Sequence, residues 1–402
     1  MKVLWALSLT FALLWLVSAF IPTSHSEEAL RRFDEEHLNR ANDRAVRGYI
    51  ASGVNTFIVF GLLWYLSKRP IASGVFRGRV TPTGALWMGI LLGIGISLLM
   101  AIVTLPLRIY AGFVLERQFG LSGVSFGVWF VDYLKNVGMN ALTYAVAGGA
   151  VAWAFVCLPR SWPWVLSLGY VVASVFIAFI YPTVIAPVFD EFYPLEDQAI
   201  LSDIRSLTDR AGMEVGEVLV MKASAKTTRV NAYFAGVGAS RQVVLYDNLI
   251  NTHTREQVSL VVAHEMGHWK YGHVAKGLAF SAVGVVGVLL AFSMTVGRVP
   301  PSSYGSLERA LLLLLMVSTL AGYVLSPASS FISRRFEVAS DAYSLELTAD
   351  PGTFISTQVN LSRGNLSDVE PPLFMRWFAW THPTTLERIQ AAERWLPPPK
   401  TP

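Results

Sequence analysis

Long apolar stretches decide what this chain can fold into. An α-helix needs about 20 apolar residues to cross a lipid bilayer. Seven stretches approach that length: 3–21, 50–67, 85–106, 139–158, 163–187, 276–297 and 307–330. The composition agrees, because 53% of the 402 residues are hydrophobic and only 15% are charged. We therefore predict a mainly α-helical, multi-pass membrane protein with seven transmembrane helices.

The first apolar stretch has two interpretations. Lys2 and the apolar run after it, which ends in Val17-Ser18-Ala19, also fit a cleavable signal peptide. We favour a retained helix, because seven crossings then leave most of the Lys and Arg residues on one side of the membrane. The segments on that side are 22–49, 107–138, 188–275 and 331–402.

The charge distribution also indicates orientation and partners. Since Lys and Arg favour the cytoplasmic side, we expect segments 188–275 and 331–402 to face the cytoplasm, from the inner (plasma) membrane if the source is bacterial. The formal net charge of +4 agrees with contact with anionic membrane lipid. No nucleic-acid-binding motif is visible, and the single cysteine, Cys157, excludes a disulfide within the chain. The oligomeric state has no signature in the sequence.

The segment His264-Glu265-Met266-Gly267-His268 matches the metal-hydrolase pattern H-E-x-x-H. On a helix, residues four apart share one face, so His264 and His268 can offer two imidazoles to one Zn²⁺. Glu265 would then act as general base on a water bound to the zinc, whose pKa the metal lowers toward about 7. The alternative is a chance match, which a chain with only 7 histidines makes rare.

A helix is predicted here independently of the motif. Thr254 and Gln257 have the spacing of a capping box, and an apolar run follows them. The longer pattern H-E-x-x-H-x-x-G-x-x-H is absent, because Tyr271 and Val274 stand at its last Gly and His positions. The third ligand must come from elsewhere, and we interpret His273 as an ordinary polar residue near the membrane.

The best candidate for a third ligand lies in segment 333–341. Glu337 and Asp341 are four residues apart and would share a helical face. Glu337 could complete a His₂Glu zinc site, and Asp341 could accept the free N–H of one ligand histidine. The alternative is an exposed acidic helix face paired with Arg334 and Arg335.

A soluble α+β part precedes the histidine motif. An amphipathic helix around residues 200–207 ends near Gly212. Three short strands are predicted next, at 217–221, 231–236 and 242–246. A strand just before a zincin helix often has a free edge on which the backbone of a substrate can pair.

Near the end of the chain, His382 comes just before another capping box, formed by Thr384 and Glu387. His382 and Arg388 could both face the site and stabilise the oxyanion that forms when a peptide carbonyl is attacked. The alternative is a lone polar residue and an arginine at a helix cap. The residues alone favour this alternative.

Several motifs, in the same order along the chain, resemble those of the CAAX prenyl protease 1 family, which are integral-membrane zinc metalloproteases of the gluzincin type. The resemblance covers most of the chain and rests on segments 113–120, 185–190, 231–236, 264–270, 333–341 and 381–388. This family implies seven transmembrane helices that form a water-filled chamber, with a zincin-like α+β zinc metalloprotease domain. The implied activity is an endopeptidase that removes the C-terminal tripeptide of prenylated CAAX proteins.

The resemblance also implies individual roles. His264, His268 and Glu337 would bind zinc, one Zn²⁺ per chain, with Glu265 as general base and Asp341 orienting a ligand. Asn231, Ala232 and Tyr233 would pair with the substrate. His382 and Arg388 would contact the substrate and the transition state. We predict two domains, an N-terminal membrane region with five transmembrane helices (1–187) and a zinc metallopeptidase domain (188–402) that includes the last two. The implied partners are a peptide or protein substrate, prenylated or not, and membrane lipid.

The chain departs from the family pattern at two places. Thr384 stands where a second proline is usual, and the segment between Ile250 and Thr254 lacks the large acidic insertion of some members, as expected of a compact bacterial member. Three alternatives remain: a quality-control protease for membrane proteins, a non-catalytic membrane scaffold, and a lipid or peptide transporter. A scaffold would not need to keep every catalytic group, and a transporter would not need Glu265.

Overall fold

Helices make up most of the part of the chain that the structure describes. The computed structural model describes residues 2–21, 24–69, 71–214, 216–236, 242–296 and 301–395. Within these ranges, six helices are long and apolar enough to cross a membrane, and a shorter apolar helical stretch is found at Leu9–Ala19. The predicted class, a mainly α-helical membrane protein with a zincin-like α+β domain, is confirmed, and the described residues contain six helices of spanning length.

The first half of the chain is helical. Its helices are α1 (Lys2–Ala19), α2 (Glu27–Arg32), α3 (Glu35–Lys68), α4 (Ala72–Val75), α5 (Pro82–Ile109), α6 (Leu115–Gln118), α7 (Phe126–Cys157), α8 (Trp162–Ile180) and α9 (Ala186–Phe189). Two π-helical turns, Tyr110–Val114 and Tyr181–Ile185, join α5 to α6 and α8 to α9.

The second half combines a small sheet with helices. Its elements are β1 (Phe192–Pro194), α10 (Gln198–Ala211), β2 (Glu217–Met221), a 3₁₀ turn (Ala223–Ala225), β3 (Ala232–Ala235), β4 (Gln242–Tyr246), α11 (Asp247–Thr252), α12 (Arg255–Lys270), α13 (His273–Val296), α14 (Tyr304–Thr348), α15 (Pro351–Asn365), α16 (Leu373–Phe378) and α17 (Thr385–Glu393).

Local sequence fixes where the long membrane helices begin. The side chains of Asp34, Thr81 and Ser125 accept backbone N–H groups in the first turns of α3, α5 and α7. These are the residue types that satisfy the unpaired N–H groups at a helix start. Pro82 follows Thr81 at the first helical position, where its fixed φ favours the helix and its missing N–H is not needed.

Helices α5 and α7 pack closely because glycines face each other between them. A Cβ atom at Gly89 would lie 2.2 Å from the carbonyl oxygen of Gly148, and one at Gly93 would lie 2.1 Å from that of Tyr144. Side chains larger than hydrogen therefore do not fit at these two positions. Small residues allow backbones to approach in this way when helices associate inside a membrane.

The four strands form one sheet in the order β1-β2-β4-β3. Strand β2 runs parallel to β4, whereas β1 and β3 are antiparallel to their neighbours. The sheet packs on α10 and α12 through a buried core that includes Ile204, Leu245, Val258, Val262 and Met266. Among the described residues no strand pairs with the outer side of β3, so β3 is an edge strand.

A polar cavity of about 870 Å³ lies among α3, α5, α7 and α14. Its lining includes Asn55, Thr104, Arg108, Asn136 and Asn140. Polar side chains at membrane depth are costly unless they face water or one another. The cavity gives these side chains an interior space to face, as expected of the predicted chamber.

Ion pairs connect the membrane helices with the loop that leads to β3. Glu116 of α6 binds Arg44 of α3 at 2.7 Å and Arg229 at 2.8 Å. Lys226 of the same loop binds Asp132 of α7 at 2.7 Å. The loop from Met221 to β3 is thus held by carboxylates from two helices of the first half of the chain, Glu116 of α6 and Asp132 of α7.

Candidate metal centre and active site

Helix α12 carries the histidine motif. The side chain of Thr254 accepts the N–H of Gln257, and the side chain of Gln257 accepts the N–H of Thr254, so the predicted capping box is present. The helix then runs through His264 and His268, which lie one turn apart. Buried Met266 anchors the motif in the core under the sheet.

Helix α14 brings the acidic pair to the motif. Glu337 and Asp341 lie one turn apart on it and are 5% and 6% exposed. The approach of the two helices depends on Gly267, because a Cβ atom there would lie 2.8 Å from Cα of Ser340. The alternative interpretation of an exposed acidic face is wrong, since Arg334 instead donates to backbone carbonyl oxygens of segment 376–380.

Two ring nitrogens and a carboxylate converge on one point. Nε2 of His264 lies 3.1 Å from Nε2 of His268 and 3.2 Å from Oε2 of Glu337. Nε2 of His268 lies 3.3 Å from Oε1 of Glu337. All three ligand atoms lie within 4.8 Å of one another.

These distances fit zinc. Bonds of about 2.0–2.1 Å at tetrahedral angles place neighbouring ligand atoms about 3.3–3.4 Å apart. In addition, Oε2 of Glu337 is buried and receives no hydrogen bond from the described residues. Two imidazoles and one carboxylate are a ligand set that zinc enzymes use, with one coordination position left open.

A buried ion pair lies behind His264. Nδ1 of His264 is 2.8 Å from Oδ1 of Asp341. The same Oδ1 accepts from Nη2 of Arg388 at 2.5 Å, and Oδ2 of Asp341 accepts from Nε of Arg388 at 2.8 Å. Burial lowers the pKa of His264, but the nearby carboxylates of Asp341 and Glu337 outweigh burial and raise the pKa to about 10. The carboxylates therefore favour a positive charge at this ring, whether from a proton or a metal ion.

Glu265 lies between the ligand histidines and the edge strand. Burial raises the pKa of its carboxyl, although the neighbouring His264 and His268 act in the opposite direction. The carboxyl also interacts with the backbone N–H of Phe234 in β3. A carboxylate with a raised pKa is a stronger base, which suits proton transfer near neutral pH.

His382 stands at the mouth of the site. Its Nε2 is 3.4 Å from Oε1 of Glu337, its Nδ1 is 2.9 Å from the hydroxyl of Thr381, and the side chain is 55% exposed. The predicted capping box of Thr384 and Glu387 starts α17 directly after it. An exposed ring at this place is accessible to a substrate.

Strand β3 presents part of its backbone to the same cleft. The backbone carbonyl of Asn231 accepts the N–H of Tyr246, the residue opposite it in β4. In an antiparallel pair, the backbone N–H and C=O groups of every second residue point toward the neighbouring strand. Those of Asn231 and Tyr233 therefore point into the sheet. The N–H and C=O groups of Ala232 and Phe234 therefore point to the open edge. Asn231 and Ala232 line the cleft, whereas Tyr233 does not line it and packs its ring against Tyr246.

The cleft, with a volume of about 490 Å³, brings together eight of the ten predicted site residues. They are Asn231, Ala232, His264, Glu265, Glu337, His382 and Arg388, which line it, and His268, which joins them at the ligand cluster. Asp341 lies behind His264, and Tyr233 lies outside. His273, which the sequence analysis interprets as an ordinary polar residue, also lies at the ligand cluster, with its Nδ1 3.0 Å from Nδ1 of His268.

A second, apolar cavity of about 620 Å³ runs between α13 and α14 and ends at His268 and Glu337. Small residues such as Gly277, Gly284 and Gly322 open it. It extends from the ligand cluster along two helices that are long enough to cross a membrane.

Comparison with known proteins decides the family. The sequence profile of Peptidase family M48 matches residues 194–396, about half of the chain. The chain belongs to peptidase family M48. A second profile, CAAX prenyl protease N-terminal, five membrane helices, matches residues 18–191.

Relatives of this M48 member occur in bacteria and eukaryotes. It is 30% identical over 310 residues to the uncharacterized metalloprotease YhfN of Bacillus subtilis, covering 74% of this chain and 72% of that protein. It is 28% identical over 323 residues to CAAX prenyl protease 1 of Saccharomyces cerevisiae, covering 74% and 70%. The crystal structure of S. mikatae Ste24p has a similar fold, with a TM-score of 0.78, 23% identity and coverage of 97% and 98%.

Membership of M48 confirms the predicted activity. The protein is a zinc-dependent metalloendopeptidase with several membrane-spanning helices, and its substrate is a peptide or protein. The predicted zinc cofactor is confirmed, with a candidate site at His264, His268 and Glu337.

Proposed function

We propose that this M48 peptidase cleaves peptide bonds in the cleft between β3 and α12, with His264, His268 and Glu337 as the zinc ligands. The observation that supports this most directly is the convergence of their ligand atoms at 3.1–3.3 Å beside Glu265. Zinc in such a site polarises the substrate carbonyl and lowers the pKa of water. The protein residues supply binding, orientation and proton transfer.

In the proposed reaction the substrate backbone pairs with the open edge of β3 at Ala232. Glu265 takes a proton from water, whose oxygen adds to the carbonyl carbon of the scissile bond. His382 donates a hydrogen bond to the carbonyl oxygen as negative charge develops on it. The C–N bond then breaks, and the proton held by Glu265 passes to the leaving amine.

For Arg388 we propose a positioning role. Its guanidinium forms a two-pronged contact with Asp341, and Asp341 accepts from Nδ1 of the ligand His264. Two-pronged arginine–carboxylate contacts fix geometry as well as charge. Arg388, at the edge of the cleft, would thus hold Asp341 in place, and Asp341 would orient the ligand His264.

The test of the catalytic assignment is Glu265→Gln in the full-length protein. The amide cannot take the proton, so we expect peptide cleavage to fall by at least about 10³-fold while bound zinc and thermal stability stay unchanged. Glu256→Gln, an exposed residue on the same helix, is the matched control and should cleave normally. Normal cleavage by Glu265→Gln would remove the assignment.

We further propose that the substrates carry a prenyl chain. Two observations support this: the apolar cavity between α13 and α14 reaches the ligand cluster, and the yeast relative is named CAAX prenyl protease 1. A prenyl chain in that cavity would be removed from water, which contributes about 25 cal/mol per Å² of apolar surface. The peptide attached to it would then lie beside the ligands.

Filling the cavity tests this substrate class. Gly322 lines it and has no atom within 4 Å of a Cβ position, so Gly322→Leu places a side chain into the space. We expect cleavage of a farnesylated CAAX peptide to fall about tenfold, with little change for its unprenylated twin. Gly287→Leu, at an equally open helical glycine outside the lining, is the control. Equal wild-type rates on farnesylated, unprenylated and unrelated peptides would favour a general quality-control protease instead.

We also propose that the chain is organised as a five-helix membrane region, 1–187, and a zinc metallopeptidase domain, 188–402, with the cleft on the cytoplasmic side. The support for the orientation is the segment that carries Arg31, Arg32, Arg40, Arg44 and Arg47, because its residues Phe33 and Leu38 pack against Val369 and Leu386 of the second half of the chain.

A further inference from the structure

His273 is placed beside the ligand cluster by a tight turn. It is the first residue of α13 and follows Gly272, whose φ of 62° is a conformation that favours glycine. The side chain is 6% exposed and its ring stacks on that of Phe336 at a centroid distance of 4.2 Å and an angle of 10°. Since Phe336 precedes Glu337, the His273 ring is fixed against the residue next to a ligand.

The orientation of His268 identifies its ligand atom. Nε2 of His268 faces Nε2 of His264 and Oε1 of Glu337, at 3.1 and 3.3 Å. Nδ1 points the other way. A neutral imidazole that binds zinc through Nε2 carries its proton on Nδ1.

Within the part of the chain that the structure describes, that Nδ1 has one hydrogen-bond partner. It lies 3.0 Å from Nδ1 of His273, and the two rings are nearly perpendicular, at 79°. Because His268 must donate, Nδ1 of His273 must accept, and His273 carries its own proton on Nε2. The geometry points to His273 as the positioning residue of His268: its Nδ1 holds the ligand ring in the orientation and tautomer that zinc binding at Nε2 needs. This inference rests on the proposed zinc site.

The two ligand histidines are therefore oriented by different chemistry. His264 is held by the carboxylate of Asp341, whereas His268 is held by a neutral imidazole. Glu265, Glu337 and Asp341 already place three carboxyl groups around the ligands. A neutral acceptor orients the second ring without adding a fourth carboxylate, and its own ring closes the end of the apolar cavity.

The partners that orient metal ligands affect metal affinity. Their loss usually weakens metal binding by about 10–100-fold. The quantity to measure is therefore the zinc dissociation constant, which does not depend on turnover.

Three substitutions separate the acceptor from the packing of the ring. In His273→Asn the side-chain oxygen is bonded to Cγ, as Nδ1 is in histidine, so the acceptor stays in place. His273→Leu has the same branching without an acceptor, and both lose the stacking on Phe336. His273→Gln has the same amide as His273→Asn, but one carbon farther from the backbone. If His273→Leu does not fold, the comparison of His273→Gln with His273→Asn still tests the acceptor.

The experiment is competition for zinc against a chelator, with full-length protein in detergent. We expect a zinc dissociation constant about 10–100-fold higher than wild type for His273→Leu, about tenfold higher for His273→Gln, and within about threefold of wild type for His273→Asn. Wild-type affinity in His273→Leu or His273→Gln, or an equal loss in all three, would overturn the assignment. His268→Ala distinguishes the failures: if it keeps zinc, the proposed site itself is wrong.

Discussion

Asp368 lies outside the membrane helices, and burial of its side chain disfavours the charged form of its carboxyl group. It is 8% exposed, and burial raises its pKa from 3.8 to about 6, despite hydrogen bonds from the N–H of Glu370 and the hydroxyl of Tyr49. With a raised pKa the folded protein binds more protons than the unfolded chain between these values. The contribution of the protonated Asp368 carboxyl to the free energy of unfolding is complete below pH 3.8. It is lost as the pH rises through about 6.

We therefore predict that Asp368→Asn removes part of the pH dependence of stability. Wild-type protein should lose on the order of 2–3 kcal/mol of unfolding free energy between pH 4 and pH 7 from this group. The variant should lose less and be the more stable protein at pH 7. Thermal unfolding in detergent at both pH values measures the difference, with exposed Asp209→Asn as control. Parallel pH profiles of wild type and Asp368→Asn would contradict the prediction.

Single residues of the site differ in how far the sequence predicts them. The spacing of His264, Glu265 and His268 fixes their relative positions on one helix, so their arrangement follows from local geometry alone. The contact of His273 with His268 depends on the direction in which α13 leaves the turn at Gly272. No periodicity in the sequence encodes that direction, so the sequence alone indicates only an ordinary polar residue at His273.

At the scale of elements, the contact of α12 with α14 decides whether the ligands meet. Gly267 lies in that contact, and a Cβ atom there would approach the backbone of Ser340 to 2.8 Å. We predict that Gly267→Ala separates the helices, lowers stability by about 1–3 kcal/mol and weakens zinc binding. Thermal unfolding and zinc content measure both effects.

The control for this prediction is Gly287→Ala. This glycine is also helical, but a Cβ atom there meets nothing within 4 Å. The control should be neutral or slightly stabilising, because alanine favours a helix by about 1 kcal/mol over glycine. Equal stability and equal zinc content for Gly267→Ala and Gly287→Ala would show that the close approach is not needed.

Elements were predicted well where local patterns dominate. Strands β2 and β4 have the predicted bounds, and capping boxes start α12 and α17 where the sequence places them. The long helices were predicted too short, since apolar length marks only the part inside the membrane. Helix α14 continues from the predicted span 307–330 through Glu337 to Thr348. One continuous helix thus joins a predicted membrane span to Glu337.

At the scale of the whole molecule, Glu116 joins the two halves of the chain. Its carboxylate binds Arg44 and Arg229, and these three side chains are 18%, 21% and 35% exposed. We predict that Glu116→Gln lowers stability by about 2 kcal/mol, because two partly buried arginines lose their counter-charge. Since Arg229 leads into β3, KM for peptide should rise more than kcat falls.

The matched control is Glu191→Gln, which breaks the exposed pair with Lys222. These side chains are 76% and 51% exposed, and exposed pairs contribute about 0–1 kcal/mol. Thermal unfolding and steady-state kinetics compare the two variants. If Glu116→Gln has the same thermal stability and the same kinetic constants as Glu191→Gln, the membrane helices do not position the edge strand.

The topology of the whole chain gives another prediction. Ala29, Phe33 and Leu38 pack with Val369 and Leu386, so the arginine-rich segment 24–49 lies against the zinc domain. From the positive-inside rule we predict that both face the cytoplasm. A C-terminal fusion to a reporter that works only in the cytoplasm should be active, and one that works only outside it should be inactive. The reverse pattern would place the active site outside.

The central claim is that one zinc ion is held by side chains from α12 and α14. The most direct test is the zinc content of purified full-length protein, wild type against Glu337→Ala, because Glu337 is the ligand that the second helix supplies. We predict about one zinc per wild-type chain and less than about a tenth of that in Glu337→Ala, since two histidines alone leave a zinc site incomplete. Full zinc occupancy in Glu337→Ala would contradict the account.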